Sequence, residues 1–151
     1  MAKKTPQIQK LEEVLHSSKL VAGGFMGSDT RSVLDIIDAD LAELSELTVT
    51  AEHIAARMQE ITDIAKDGLG NWVTIDENRQ AVVEEAKGTL VCPWPHPGKF
   101  AKRVTTVKLT GSGQSIKWAD LSIHLILEHG FFQGKGSAFR IEPEALIKII
   151  F

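Results

Sequence analysis

The sequence predicts an α+β fold in which a helical N-terminal half packs on a small, mostly antiparallel sheet with a C-terminal helix. Residues 1–70 place apolar side chains at helical spacing, whereas residues 71–151 combine β-branched runs with glycine and proline turns. The chain has 151 residues, of which 43% are hydrophobic. We therefore expect one domain over 1–151, helical in 1–70 and mixed α/β in 71–151.

The N-terminal half is predicted to form three amphipathic helices, over 7–18, 30–47 and 51–67. A glycine-bearing stretch at 23–29 separates the first two, and Ser28 or Asp29 is expected to cap the second. Thr50 is expected to cap the third, which ends at Gly68 and Gly70. Their apolar stripes contain Ile8, Leu11, Val14 and Leu15; Leu34, Ile37, Leu41 and Leu44; and Ile54, Met58, Ile61 and Ala65.

The next segment is read partly as strand and partly as helix. Residues 72–75 suit a short strand or the entry to a helix, because Thr74 and Glu77 have capping-box spacing. A helix is therefore predicted over 77–87, ended by Gly88. Strands are predicted over 89–92, 104–109 and 115–118. Three prolines make 93–98 a stiff loop, and glycines turn the chain at 111–113.

The C-terminal part is predicted to contain two helices, over 119–129 and 143–150, the second with Pro143 at its first position. A glycine loop at 134–137 and a short strand at 139–141 are expected between them. The last seven residues, 145–151, are almost entirely apolar, so the chain's own core or a partner is expected to cover them.

Charge and composition limit the classes of partner that we expect. The formal net charge of −3 gives no reason to expect a polyanion, although 86–119 contains six bases and no acid. Nucleic acid is therefore not expected, and these bases are interpreted as neutralising the acidic N-terminal helices, within one molecule or across a dimer. Cys92 is the only cysteine, the start at 1–6 has no apolar signal core, and no apolar run could span a bilayer. A cytoplasmic protein without membrane contact is expected.

The helix around residue 124 carries the clearest candidate for chemistry. Asp120, His124 and Glu128 are spaced by four and so share one stripe of an otherwise apolar helix. One hypothesis makes His124 an acid/base whose ring Asp120 or Glu128 orients. The alternative is that the stripe is simply the wetted face of a buried helix.

A zinc site would draw on Cys92, His96, His124 and His129. The first pair has a usable spacing on a rigid loop. The five-residue step from His124 to His129 is expected to turn the two side chains to different faces, and no Cys-x-x-Cys knuckle is present. The sequence therefore assigns no metal and no cofactor.

Two glycine segments resemble phosphate loops without matching one. The segment 130–137 has the wrong glycine spacing and follows a helix instead of a strand, and 23–28 lacks a preceding strand. Lys135, Ser137 and Arg140 remain candidates to hold an anion. The alternative is that these glycines only allow a tight turn.

Two hypotheses follow. The first is a small non-catalytic binding or interaction module that forms a homodimer. The second is an enzyme, or a protein that binds a small anionic molecule, with its site near His124 and the 134–140 loop.

Overall fold

The computed structural model describes residues 5–18 and 24–151, and it confirms the α+β class. The expectations for the first four residues and Gly23 lie outside this part. None of the described helices is both long and apolar enough to cross a bilayer. The elements in chain order are α1 Pro6–His16, α2 Val33–Glu46, α3 Ala51–Lys66, β1 Val73–Asp76, β2 Arg79–Val91, β3 Lys99–Leu109, β4 Ser115–Ala119, α4 Asp120–His129 and α5 Pro143–Ile150.

Hydroxyl side chains cap the first three helices. The side chains of Thr5, Ser32 and Thr50 accept a backbone N–H from the first turn of α1, α2 and α3 respectively. The prediction for Thr50 is confirmed. The prediction that Ser28 or Asp29 caps the second helix is wrong, because the carboxylate of Asp29 instead accepts from Arg31 and α2 begins later.

The predicted helix over 77–87 is wrong, because these residues turn the chain and enter strand β2. Asp76 Oδ1 accepts the backbone N–H of Asn78, which forms a tight turn in place of a helix cap. Val82 and Val83 then pair with strand β3, where β-branched side chains pack well. Gly88, with a φ of +99°, lies in the irregular stretch of this pairing, so it bends the strand without ending it.

The sheet is an antiparallel meander in the order β1-β2-β3-β4. The Pro-rich loop between β2 and β3 is confirmed, although β3 is longer than predicted. Residues 139–141 form no strand. The backbone N–H of Ile141 instead donates to the carbonyl of Phe132, and the guanidinium of Arg140 is held by Asp40.

Helix α4 lies between two hydrophobic cores. Ile123 and Ile126 belong to the first core, together with residues of α3, α5 and the sheet. Leu121 and Leu125 belong to the second core, together with residues of α1, of α2 and of the loop that connects β2 to β3. This explains why the helix is apolar around most of its circumference.

A buried polar chain crosses the first core. Trp118 Nε1 donates to Thr62 Oγ1 at 2.9 Å, and the hydroxyls of Thr62 and Thr105 lie 2.9 Å apart. All three side chains are fully buried. The hydrogen bonds satisfy groups that would be costly to bury alone, and they fix α3 against the sheet.

Two arginines bind the last turn of α5. Arg57 Nε donates to the carbonyl of Ile150 at 2.7 Å, and Arg79 Nε donates to that of Ile149 at 2.6 Å. Asp76 pairs with both guanidinium groups. The chain's own core covers Leu146, Ile149 and Ile150 of the apolar C-terminal segment, whereas Phe151 is 41% exposed.

The two glycine segments of the sequence pack against each other. Gly134 N donates to the carbonyl of Phe25 at 2.9 Å, and Ser28 N donates to that of Lys135 at 3.2 Å. A Cβ on Gly134 would lie 2.3 Å from the carbonyl oxygen of Met26. Gly134 is therefore needed for a close approach of two backbones, a structural role that differs from the tight turn expected from the sequence.

We expect Gly134→Ala to destabilise the fold by about 2–3 kcal/mol, because the added methyl group must displace backbone. Denaturant unfolding gives the free energy, with Gly111→Ala as the control. A Cβ on Gly111 would meet nothing within 4 Å. Its substitution should change the stability by less than about 0.5 kcal/mol. Equal effects at the two positions would contradict the close-approach explanation.

Candidate metal centre

The Pro-rich loop brings a thiol and an imidazole to the exposed side of α4. Cys92 and His96 come from this loop, and His124 and His129 from the helix. One potential ligand atom from each residue belongs to a cluster in which all four atoms lie within 4.8 Å of one another. This is the densest group of metal-binding side chains in the part of the chain that the structure describes.

The shortest distances in the cluster match the edges of a zinc tetrahedron. Cys92 Sγ lies 3.4 Å from His129 Nε2, and His96 Nε2 lies 3.2 Å from the Nε2 atoms of both His124 and His129. Tetrahedral zinc, with Zn–N near 2.05 Å and Zn–S near 2.3 Å, requires N···N edges of about 3.3 Å and S···N edges of about 3.6 Å. Three of the six donor–donor distances are therefore close to those around a single zinc ion, and the four atoms as a group lie within 4.8 Å of one another.

Local structure fixes the two loop ligands. Cys92 directly follows strand β2 and is buried, and the adjacent prolines restrict the backbone that carries His96. The Nδ1 of His96 lies 3.0 Å from the carbonyl oxygen of Pro97. In the tautomer that donates this hydrogen bond, Nδ1 carries the proton and the lone pair of Nε2 is free for a metal.

Aromatic rings enclose the two helix ligands. The indole of Trp94 stacks on His129, with the ring centroids 4.1 Å apart and the planes 8° from parallel. Phe100 lies against His124 at 4.5 Å. These contacts limit the orientations of both imidazoles and shield one side of the cluster from water.

The protonation states suit metal binding. Burial, with a smaller effect from the neighbouring imidazoles of His124 and His96, lowers the pKa of His129 to about 4. Burial and His96 also lower the pKa of His124. Both rings are therefore neutral at pH 7 and can donate a lone pair. Burial raises the pKa of the Cys92 thiol, so a metal that binds there displaces its proton.

The expectation that His124 and His129 point to different faces is wrong. Five residues correspond to about 140° around a helix. However, imidazole side chains are long, and His129 is the last residue of α4, beside Gly130 with a φ of +62°. The ring centroids of His124 and His129 lie 5.3 Å apart, and His96 fills the space between their Nε2 atoms.

The other two residues of the predicted stripe do not hold His124. Asp120 Oδ2 accepts from Arg103 at 2.8 Å, and burial raises the pKa of Asp120 despite this ion pair. In the described chain Glu128 makes no hydrogen bond to His124. The orienting contacts of His124 are instead His96 and Phe100. A catalytic role for Asp120, His124 and Glu128 stays an untested prediction.

The three candidate anion-binding residues are engaged in different ways. Arg140 forms a buried ion pair with Asp40, and Ser137 Oγ donates to Gln133 Oε1 at 2.9 Å. Lys135 donates its backbone N–H to Asp29 Oδ2 at 3.1 Å. Of the two cations among these residues, Lys135 is the one whose ammonium has no ion-pair partner in the described ranges. The geometry therefore gives these residues structural roles, and anion binding by them stays a prediction.

The basic stretch does not pair with the acidic N-terminal helices in the described part of the chain. Arg103 binds Glu85 and Asp120, which both belong to the second half. Lys108 lies over the ring of Trp72, and Lys117 over that of Phe139. No described ion pair therefore joins these bases to the acidic helices, although the charge of Arg103 contributes to lowering the pKa of Asp63 in α3. Neutralisation of the acidic helices by this stretch stays a prediction.

Comparison of the chain with protein-family models, with curated proteins and with solved structures finds no match. The functional argument therefore depends on the geometry of the site. The sequence alone names all four residues of the cluster as a possible set of zinc ligands, but it does not show that they converge in space. The sequence signal for this site is the spacing of Cys92 and His96 on a stiff loop.

We expect Asp29→Asn to lower stability by about 2 kcal/mol at neutral pH, because it removes a buried, charge-assisted interaction with Arg31. The hydrogen bond from Arg31 holds the pKa of Asp29 well below its usual range. The carboxylate therefore stabilises the fold above about pH 4, and this contribution falls as the pH drops below that value.

The measurement is denaturant unfolding of the wild type and the variant from pH 7 down to pH 3. The difference in unfolding free energy should shrink as the pH falls. Asp38→Asn, at an exposed position of α2, serves as the control. A difference that stays constant over this range would contradict the assignment to the charged form of Asp29.

Proposed function

We propose that this protein is a metal-binding protein that holds one Zn²⁺ ion through Cys92, His96, His124 and His129. The observation that carries the proposal is the convergence of the four donor atoms within 4.8 Å. One thiolate and three neutral imidazoles form a donor set typical of zinc, which takes nitrogen and sulfur ligands in tetrahedral geometry.

The number of protein ligands supports a structural role for the ion. Catalytic zinc sites generally use three protein ligands and leave one position for water or substrate. In the proposed site four side chains fill all four positions of a tetrahedron, and Trp94 and Phe100 pack against two of the imidazoles. We therefore assign the ion the task of fastening the loop 92–98 to the C-terminal half of α4.

This proposal develops the first sequence hypothesis, a non-catalytic binding module. It gives His124 the role of a ligand through Nε2, which is incompatible with simultaneous use of that atom as an acid/base. The proposal concerns a single chain, since all four donors come from the same molecule.

The first test measures bound metal by elemental analysis and native mass spectrometry of protein purified without an affinity metal. We expect one zinc per chain. Substitution by Co²⁺ should give the visible absorption of a tetrahedral ion and a near-ultraviolet thiolate-to-cobalt charge-transfer band. A chain that takes up no Zn²⁺ or Co²⁺ would refute the proposal.

Single substitutions test the ligand set. His96→Ala, His124→Ala and His129→Ala should each weaken zinc binding by at least about tenfold, and Cys92→Ser should also abolish the charge-transfer band. His16→Ala is the matched control, since His16 is exposed at the end of α1, outside the cluster. Unchanged affinity in the His124 and His129 variants would refute the site.

Removal of the metal tests its structural role. With free zinc at about 1,000 times its dissociation constant, binding stabilises the folded state by about 4 kcal/mol. A chelator should lower the midpoint of thermal unfolding of the wild type and the His16→Ala variant. It should leave the His124→Ala variant unchanged. If the chelator leaves the wild-type midpoint unchanged while zinc is lost, the ion is not structural.

A further inference from the structure

A second site lies at the other end of α4. A partly open cavity of about 320 Å³ lies between the first turn of this helix, the end of β2, strand β3 and the loop that follows α4. It is separate from the zinc cluster, since none of the four proposed ligands lines it. The lining residues that matter for binding are Phe25, Leu90, Lys102, Leu121, Gln133 and Phe139.

The walls of the cavity are largely apolar. Two aromatic residues, Phe25 and Phe139, and two leucines, Leu90 and Leu121, are among the residues that line it. Phe25 is almost fully buried and is fixed by the close packing of the glycine segments. Cavities of this size and character are typical of sites for small organic molecules.

Gln133 places a polar group at the apolar walls. It is 6% exposed, and its Oε1 accepts from Ser137. Its Nε2 has no hydrogen-bond partner in the described chain. The only side-chain polar atom there that is both without a partner and sealed from solvent is Asp120 Oδ1, so Gln133 Nε2 is not sealed. The Nε2 therefore faces accessible space, and the cavity is the space that Gln133 lines. An amide donor that faces a cavity can give its hydrogen bond to an acceptor on a bound molecule.

Lys102 supplies a positive charge to the same cavity. No carboxylate in the described ranges lies within ion-pair distance of its ammonium, whereas the neighbouring Arg103 is held by Glu85 and Asp120. The side chain of Lys102 runs beside Gly88, where a Cβ would lie 3.9 Å from Nζ. It also lines an adjoining hollow that shares Leu90, Ala119 and Phe139 with the cavity. Lys102 therefore borders both spaces.

We infer that this cavity binds a small monoanionic molecule with an apolar body, a carboxylate on an aromatic or branched alkyl group. Lys102 contacts the carboxylate, Gln133 Nε2 donates to one of its oxygens, and Phe25 and Phe139 pack on the body. A single cation amid apolar walls favours a monoanion over a phosphate ester or polyanion, which would need more donors. The site retains the small anionic ligand of the second sequence hypothesis but replaces Lys135, Ser137 and Arg140.

The test uses 4-phenylbutyrate as the probe, titrated into ¹⁵N-labelled, zinc-loaded protein and followed by NMR. The side-chain amide signals of Gln133 should shift and saturate, with a dissociation constant of about 1 mM or below for a ligand of this size. The uncharged isostere 4-phenylbutyramide should bind about tenfold more weakly. The backbone spectrum shows in the same experiment that the protein remains folded.

Two variants test whether the charge of Lys102 binds the carboxylate. Lys102→Gln should weaken 4-phenylbutyrate about tenfold and leave 4-phenylbutyramide unchanged. Lys87→Gln, an exposed position of β2 outside the cavity, is the control and should change neither affinity. The inference is overturned if no signal saturates by about 10 mM, which would be too weak for a built site. It is also overturned if the side-chain amide signals of Gln133 do not shift. The same holds if 4-phenylbutyramide binds as tightly as 4-phenylbutyrate and the Lys102→Gln variant binds 4-phenylbutyrate as tightly as the wild type does.

Discussion

The packing of α4 on two opposite sides is the constraint on which the rest of the structure depends. A ten-residue helix that contributes Ile123 and Ile126 to one core and Leu121 and Leu125 to another joins the α3–sheet–α5 layer to the α1–α2 layer. Its backbone position is therefore fixed from both sides. The remaining exposed stripe carries His124, and the helix ends at His129, so the cluster is placed by the same packing.

Most elements of the fold can be predicted from the sequence because they have a strong local signal. The period of apolar residues identifies α1, α2 and α3, and Pro143 and Gly130 mark one helix start and one helix end. The failures came where local signals conflict. The residues around Val82 carry both helical spacing and β-branched side chains, and only pairing with β3 decides between them. That pairing is a non-local property that a window of sequence does not contain.

The sequence names Cys92, His96, His124 and His129 as one possible zinc set but assigns no metal to them, because their convergence cannot be seen from spacing. Spacing along a helix separates His124 from His129, yet side-chain length and a third imidazole from a distant loop close the gap. The partner of Asp120 was missed for a related reason, since Arg103 reaches it from β3. In both cases the deciding contact joins residues far apart in the chain, and no short-range rule of periodicity or capping describes it.

The contact between the two glycine segments has a consequence for the order of folding. Consecutive strands of the meander pair through short connections, whereas Ser28 and Lys135 are separated by 107 positions. Closing so long a loop costs more chain entropy than forming a hairpin, so the hairpins are available as a nucleus before the glycine segments meet. Interactions that form after the transition state act on the rate of unfolding and leave the rate of folding nearly unchanged. We therefore expect the glycine contact to affect mainly the rate of unfolding, and the sheet to affect mainly the rate of folding.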